Sequence, residues 1–143
     1  FNDNIIDAFC MNIVMDPSQF EVIVFPNLYG DIVTDVAAEH QGGLGTASSS
    51  NIGNKYAMFE AIHGTAPFLM SHGRGNYADP CSLIRAAGML MAHIGYGDRK
   101  EILDKALDIC TITEKKLVVT TDVDGATAAE FTDYLIDTIN RMK

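Results

Sequence analysis

Asp31 and Asp35 stand four residues apart in the run Asn27-Leu28-Tyr29-Gly30-Asp31-Ile32-Val33-Thr34-Asp35, a spacing that sets two carboxylates on one helix face. Carboxylates held side by side repel unless a cation or a proton lies between them, and hard oxygen donors with open positions suit Mg²⁺ or Mn²⁺. The spacing also has a plainer use, because acidic residues in a first helical turn complement the helix dipole. Further along, His63-Gly64-Thr65-Ala66-Pro67 gathers an imidazole, a hydroxyl and close-approach backbone amides on one loop. Such a loop can receive a pyrophosphate or an adenosine, or serve as an ordinary turn punctuated by Gly64 and Pro67. Asp7, taken alone, reads as a solvated acid. His40, His72 and His93 have no partners at metal-ligand spacing, and Ser48-Ser49-Ser50 lacks the strained turn of a nucleophilic serine. Neither a Gly-x-Gly-x-x-Gly fingerprint after a strand nor a P-loop occurs.

These residues need elements to hold them. Ile6, Phe9, Cys10, Ile13 and Val14 recur at helical spacing, and Asp16-Pro17 stops that helix, since the residue before proline is pushed out of the helical region. Val22-Ile23-Val24-Phe25 is a continuous β-branched run, expected as a strand buried on both faces of a parallel sheet. Residues 30–40 turn helical, which would place Asp31 and Asp35 at a helix start near the carboxyl edge of that sheet, until Gly42-Gly43-Leu44-Gly45 breaks the pattern. Residues 46–54 read as a connection, 56–62 as a second strand and 63–77 as a loop. Asp79 with Pro80 opens a helix whose apolar face carries Leu83, Ile84, Ala87, Leu90, Met91 and Ile94 and ends at Gly95. Asp98 with Glu101 predicts a capping box for the next helix, and 117–119 predicts a short third strand. Thr127 with Glu130 is a second capping box, for a helix facing inward through Phe131, Tyr134, Leu135, Thr138 and Ile139. With no internal repeat, the 143 residues are expected to form a single partial domain of α/β class.

Ten Lys and Arg against nineteen Asp and Glu give a net charge of −9, which leaves no surplus of cations for a phosphate backbone and excludes nucleic acid as a partner class. Cys10, Cys81 and Cys110 are odd in number and widely spaced, so they read as reduced thiols of a cytosol-like compartment. No apolar run is long enough to span a bilayer, so a membrane is not an expected partner.

Taken together and in this order, the run 27–35, Gly42-Gly43-Leu44-Gly45, Ser50-Asn51-Ile52-Gly53, Phe59-Glu60-Ala61-Ile62-His63-Gly64-Thr65-Ala66-Pro67, Thr121-Asp122 and Glu130-Phe131 resemble the decarboxylating isocitrate and isopropylmalate dehydrogenases, specifically their C-terminal part. The resemblance covers nearly the whole chain, and it implies a partial fold of that kind. It further implies oxidation of a small 2-hydroxy acid by hydride transfer to NAD or NADP, followed by loss of CO₂ in the presence of Mg²⁺ or Mn²⁺. By the same resemblance Asp31 and Asp35 hold the ion in one protomer, while Asp7 reaches the metal site of a neighbour in a homodimer or higher oligomer with a shared active site. His63 stands at the adenosine, Gly64, Thr65 and Ala66 offer backbone contacts, Glu60 lies near the nicotinamide side and Asp122 beside the adenine. Asp79 takes the place of the family's usual Asn before Pro80, as a further adenine contact. Phe68 follows the loop proline where NAD-using members often carry Asp and some NADP-using members Lys, and Arg74 lies in a lengthened loop where it could meet a 2′-phosphate. The family's catalytic Tyr and Lys are expected before Phe1, so no catalytic residue is assigned here and the 143 residues alone are not expected to turn over substrate. Asn27-Leu28-Tyr29-Gly30-Asp31 and Ser50-Asn51-Ile52-Gly53 favour isocitrate over isopropylmalate. The alternatives are a 3-isopropylmalate dehydrogenase or a non-catalytic regulatory subunit of the same fold. The compartment implied is the cytoplasm, or the mitochondrial matrix for a eukaryotic source.

Overall fold

The computed structural model describes residues 2–142, which fall into two compact units, a first up to Leu44 and a second from Gly45 onward. Its mixture of helix and sheet agrees with the α/β expectation.

In the first unit, α1 (Ile6–Met15) and α2 (Asn27–Gln41) pack through Phe9, Ile13 and Val33. The connecting segment folds back to close this small core. Phe20 and Phe25 bring their rings to 4.6 and 5.0 Å from that of Phe9, within the range where tilted and edge-on aromatic pairs attract. The expected helix end at Asp16-Pro17 forms, with the Asp16 carboxylate accepting the Ser18 N–H. Glycines end α2 as expected, because Gly42 and Gly43 take positive φ and their N–H groups satisfy the Glu39 and Ala38 carbonyls.

Two expectations fail in this unit. Residues 22–25 are not a strand: Val22 is 87% and Val24 84% exposed, and no other segment among the described residues pairs with them. A strand exists only through hydrogen bonds to a neighbour, and a β-branched run supplies the preference without the partner. Helix α2 also begins at Asn27 instead of Gly30, with Pro26 as its N-cap, so the first turn contains no acidic residue.

In the second unit, β1 (Ser48–Ile52) and β2 (Ala57–Ala61) form an antiparallel hairpin with Ser50 opposite Phe59. The second strand was expected, whereas β1 falls in what read as a connection. Its Ser-Ser-Ser-Asn sequence has little strand preference, and its state is set by the ladder to β2 and by the turn that the Gly53 N–H closes onto the Tyr56 carbonyl. A short helix, α3 (Pro67–Ser71), follows the hairpin. The hairpin lies on α4 (Cys81–His93), where Ser82 bonds the Ala47 carbonyl and Phe59 meets the His93 ring at 5.3 Å. Helix α4 packs on α5 (Gly97–Asp108), which passes into a π-helical stretch, Ile109–Glu114, and then against α6 (Ala128–Arg141). Cys81, Ala106, Leu107, Cys110, Phe131 and Leu135 form the core. The thiols of Cys81 and Cys110 are free there, as expected, and burial pushes that of Cys81 up. Among the described residues no helix is long and apolar enough to cross a membrane.

The Thr127 capping box forms in both directions, whereas that of Asp98 does not. Helix α5 starts at Gly97 after Tyr96, with no side-chain cap, so Asp98 lies inside the first turn, not before it. The third strand is absent as well. Residues 117–119 are irregular, and Val119 packs on the core while the Val118 carbonyl accepts the Ala126 N–H.

Candidate metal and nucleotide sites

Asp31 and Asp35 lie one turn apart on α2, both exposed and neither in an ion pair among the described residues. Because α2 starts four residues before Asp31, the pair sits beyond the first turn, where the helix dipole has little effect. The plainer explanation of the pair therefore loses its basis, and two unpartnered hard-oxygen donors on one face remain. That donor set fits a divalent cation with open positions for other ligands. Asp7 is exposed in the first turn of α1, where its carboxylate accepts the Ala8 N–H at 2.6 Å. The described residues contain no group of three metal-ligating side chains, so Asp7 does not join the other two within this one chain.

The candidate nucleotide residues belong to the second unit. Glu60 is on the exposed face of β2, accepting a 3.0 Å hydrogen bond from Asn51 Nδ2 across the hairpin. The strand delivers the chain directly into residues 63–66, where His63, Gly64 and Thr65 are exposed and His63 Nδ1 lies 3.0 Å from the Gly64 carbonyl. A Cβ added at Gly64 would meet nothing within 4 Å, so the backbone there is open on that side. Ala66 holds a left-handed conformation, φ 46°, immediately before Pro67 starts α3. Such strain in a residue with a Cβ persists only where its surroundings fix it.

Asp79 is engaged elsewhere: its Oδ1 accepts the N–H of Cys81, the first residue of α4, at 2.8 Å, although Pro80 and not Asp79 takes the N-cap position. Asp122 is tied on both oxygens. Its Oδ1 accepts the Val123 N–H at 2.7 Å, and its Oδ2 is 2.7 Å from Arg74 Nη1. The Val123 hydrogen bond and then the guanidinium hold its carboxyl below the usual range. Its neighbour Thr121 is, like Ala66, in positive φ, at 64°.

Sequence reasoning missed this last arrangement. The Arg74 guanidinium also lies over the Phe68 ring, 5.3 Å from its centroid, and His72 stacks on the same ring at 4.2 Å. Nearly fifty residues separate Arg74 from Asp122, and no local pattern links them; only the lengthened loop around Arg74 hinted that it had a use.

A family model described as isocitrate/isopropylmalate dehydrogenase matches residues 1–139. The chain is 45% identical over 136 residues to a mitochondrial NAD isocitrate dehydrogenase regulatory subunit of Dictyostelium discoideum, covering 94% of this chain and 37% of that protein. It is 42% identical over 137 residues to the alpha chain of the mitochondrial NAD isocitrate dehydrogenase of Homo sapiens, covering 94% and 36%. A 3-isopropylmalate dehydrogenase of Archaeoglobus fulgidus is 44% identical over 116 residues, covering 81% and 34%. Among solved structures, isocitrate dehydrogenase from Methylococcus capsulatus superposes with a TM-score of 0.89 at 34% identity, covering 97% of this chain and 40% of that one. The chain thus spans little more than a third of the length of the curated relatives it matches. With a family match over 139 residues and the same fold in solved members, this chain belongs to the isocitrate/isopropylmalate dehydrogenase family.

Proposed function

We propose that this chain is the C-terminal portion of an enzyme that oxidatively decarboxylates isocitrate to 2-oxoglutarate with NAD or NADP and Mg²⁺ or Mn²⁺. The observation that carries this reading is the pair of free carboxylates at Asp31 and Asp35, one turn apart and outside the reach of the helix dipole. Asp31 and Asp35 would hold the cation, and Asp7 of a second copy would add a further oxygen donor. When bound, a divalent ion supplies Lewis acidity toward the substrate hydroxyl and carboxylate. Both carboxylates project from one helix, one turn apart, which supports this reading. In the second unit, the open backbone of Gly64 and the hydroxyl of Thr65 would face the dinucleotide, His63 would lie against the adenosine, and Glu60 would border the nicotinamide end. A shared metal site implies a homodimer or higher oligomer.

A second reading is favoured by one comparison, since the relative at 45% identity is named a regulatory subunit. A protein of that kind would bind nucleotide or effector while a partner carries out the chemistry. Isopropylmalate is the alternative substrate, with the Archaeoglobus fulgidus relative in its support.

The test is a Mn²⁺ titration of the intact protein alongside Asp31→Ala and Asp35→Ala. Each substitution is expected to weaken Mn²⁺ by about tenfold or more, because even residues behind the ligands commonly cost that much, and to remove turnover of isocitrate. Unchanged metal affinity and turnover would end the catalytic reading. Nucleotide binding without any Mn²⁺ binding in the wild type would favour the regulatory one, and turnover of isopropylmalate alone would reassign the substrate.

A further inference from the structure

Alternation along the hairpin divides β1 and β2 into two faces. Phe59, whose ring meets His93, and Ser48, whose hydroxyl donates to Met89 Sδ at 3.1 Å, belong to the face seated on α4. Asn51 and Glu60 belong to the other face, and both are exposed. The register sets Ser49 opposite Glu60 and Asn51 opposite Met58, so Asn51 and Glu60 are diagonal neighbours, within reach of one another for long polar side chains. They meet: Asn51 Nδ2 donates to Glu60 Oε1 at 3.0 Å. No ion pair among the described residues reaches Glu60, so this amide is the contact that fixes its carboxylate.

We propose that Asn51 is a positioning residue that acts through Glu60: it holds the Glu60 carboxylate in one rotamer toward the nicotinamide end of the dinucleotide, and its loss is felt at that end alone. The inference rests on the reading of Glu60 and residues 63–66 as the segment that faces the dinucleotide.

Chemistry and geometry both support this role. A lysine or arginine in that place would fix the carboxylate and cancel its charge, whereas a neutral amide fixes it and leaves the charge for a ligand. Only Oε1 is engaged among the described residues, so Oε2 stays open as an acceptor. The backbone beneath the pair is set by the ladder and by the turn that the Gly53 N–H closes onto Tyr56, and β2 runs on directly toward His63. An exposed glutamate without a partner samples several rotamers. Holding one of them beforehand takes that ordering cost out of binding.

The test sets each dinucleotide against a counterpart that lacks the nicotinamide: NAD⁺ against ADP-ribose, and NADP⁺ against 2′-phospho-ADP-ribose, by isothermal titration of the intact protein. Asn51→Ala is expected to weaken the dinucleotide by about fivefold, the scale of one exposed hydrogen bond, while the counterpart changes by less than about twofold. Retained binding of the counterpart shows that the fold is intact. Asn51→Asp, equal in size but setting a second carboxylate against Glu60, should weaken the dinucleotide at least as much. Glu60→Ala should show the same asymmetry, and adding Asn51→Ala to it should cost nothing further, because a residue that acts only through Glu60 has no effect once Glu60 is gone. Equal losses for dinucleotide and counterpart in Asn51→Ala, additive losses in the double variant, or wild-type affinity in either single variant would overturn the proposal and leave the hydrogen bond as a stitch across the hairpin, with the dinucleotide reading intact. A wild-type protein that binds neither dinucleotide would overturn both.

Discussion

The two units of this chain satisfy their polar and apolar groups to different degrees. In the second, α6 is tied along its length: the Thr127 capping box closes its start, and Glu114 takes a hydrogen bond from Tyr134, halfway along, at 2.7 Å and a fork from Arg141, its last residue, at 3.1 and 3.2 Å. Its core is continuous from Cys81 to Leu135. In the first unit the core is three residues with a fringe, Val22 and Val24 stand in water, and Asp31 and Asp35 have no cationic partner among the described residues. The lesson is one of division. The second unit closes the larger core, and the first leaves Val22, Val24 and two carboxylates uncovered.

The contrast can be broken most forcefully in the core. Leu107→Ala, at a position with 0% exposure, is expected to cost about 2–5 kcal/mol in denaturant unfolding followed by circular dichroism. A cost near zero would mean that the second unit is not the cohesive one. Next in size is Val24→Ser. In the 143-residue chain it should change stability by no more than about 0.5 kcal/mol, as exposed substitutions do; in the intact protein it should cost more than about 1 kcal/mol if the run is covered there. Equal small effects in both would show that residues 22–25 are never paired.

Thr127→Ala removes a cap whose two hydrogen bonds are both made, and about 1 kcal/mol of loss is expected from thermal unfolding. The smallest effect is in acid. Hydrogen bonds from Arg141, then Tyr134 and Lys116, lower Glu114 from its ordinary 4.5 to about 2, while burial and the same Glu114 bond push Tyr134 up to about 12. A carboxyl depressed on folding contributes stability above its unfolded value, and that contribution is lost as the pH falls through the folded one. Denaturation midpoints should therefore drop between about pH 4.5 and 2, and Glu114→Gln should flatten that limb. Solvent screens the group, since its side chain is 27% exposed, so the change in slope should be modest.

How much of this was legible beforehand depends on whether the cause was local. Helix α1, the glycine end of α2 and the Thr127 box could all be read from spacing, because their hydrogen bonds connect residues a few positions apart. The face of α4 was misread: Leu83, Ala87, Leu90 and Ile94 are exposed, and Cys81, Ser82, Ala86 and Gly88 are buried in their place, because the elements packed on the helix, not its most apolar stripe, decide which side is covered. The strand at 22–25 was misread for lack of a partner, and the strand at 48–52 was missed because its partner supplied what its serines did not. Asp98 failed as a cap since the preceding Tyr96 and Gly97 started the helix earlier. For the candidate sites, the residue types were visible, while the freedom of Asp31 and Asp35 and the engagement of Asp79 and Asp122 were not.

Sequence by itself decided the family, through short motifs in a fixed order, and it decided which carboxylates and which loop could bear chemistry. Tertiary structure alone decided which of those groups stay available. Asp31 and Asp35 remain open because α2 begins early and puts no cation beside them, and Asp122 is neutralised because folding brings Arg74 across nearly fifty residues to meet it. Charges interact through space, and a one-dimensional pattern carries no distance between residues that far apart.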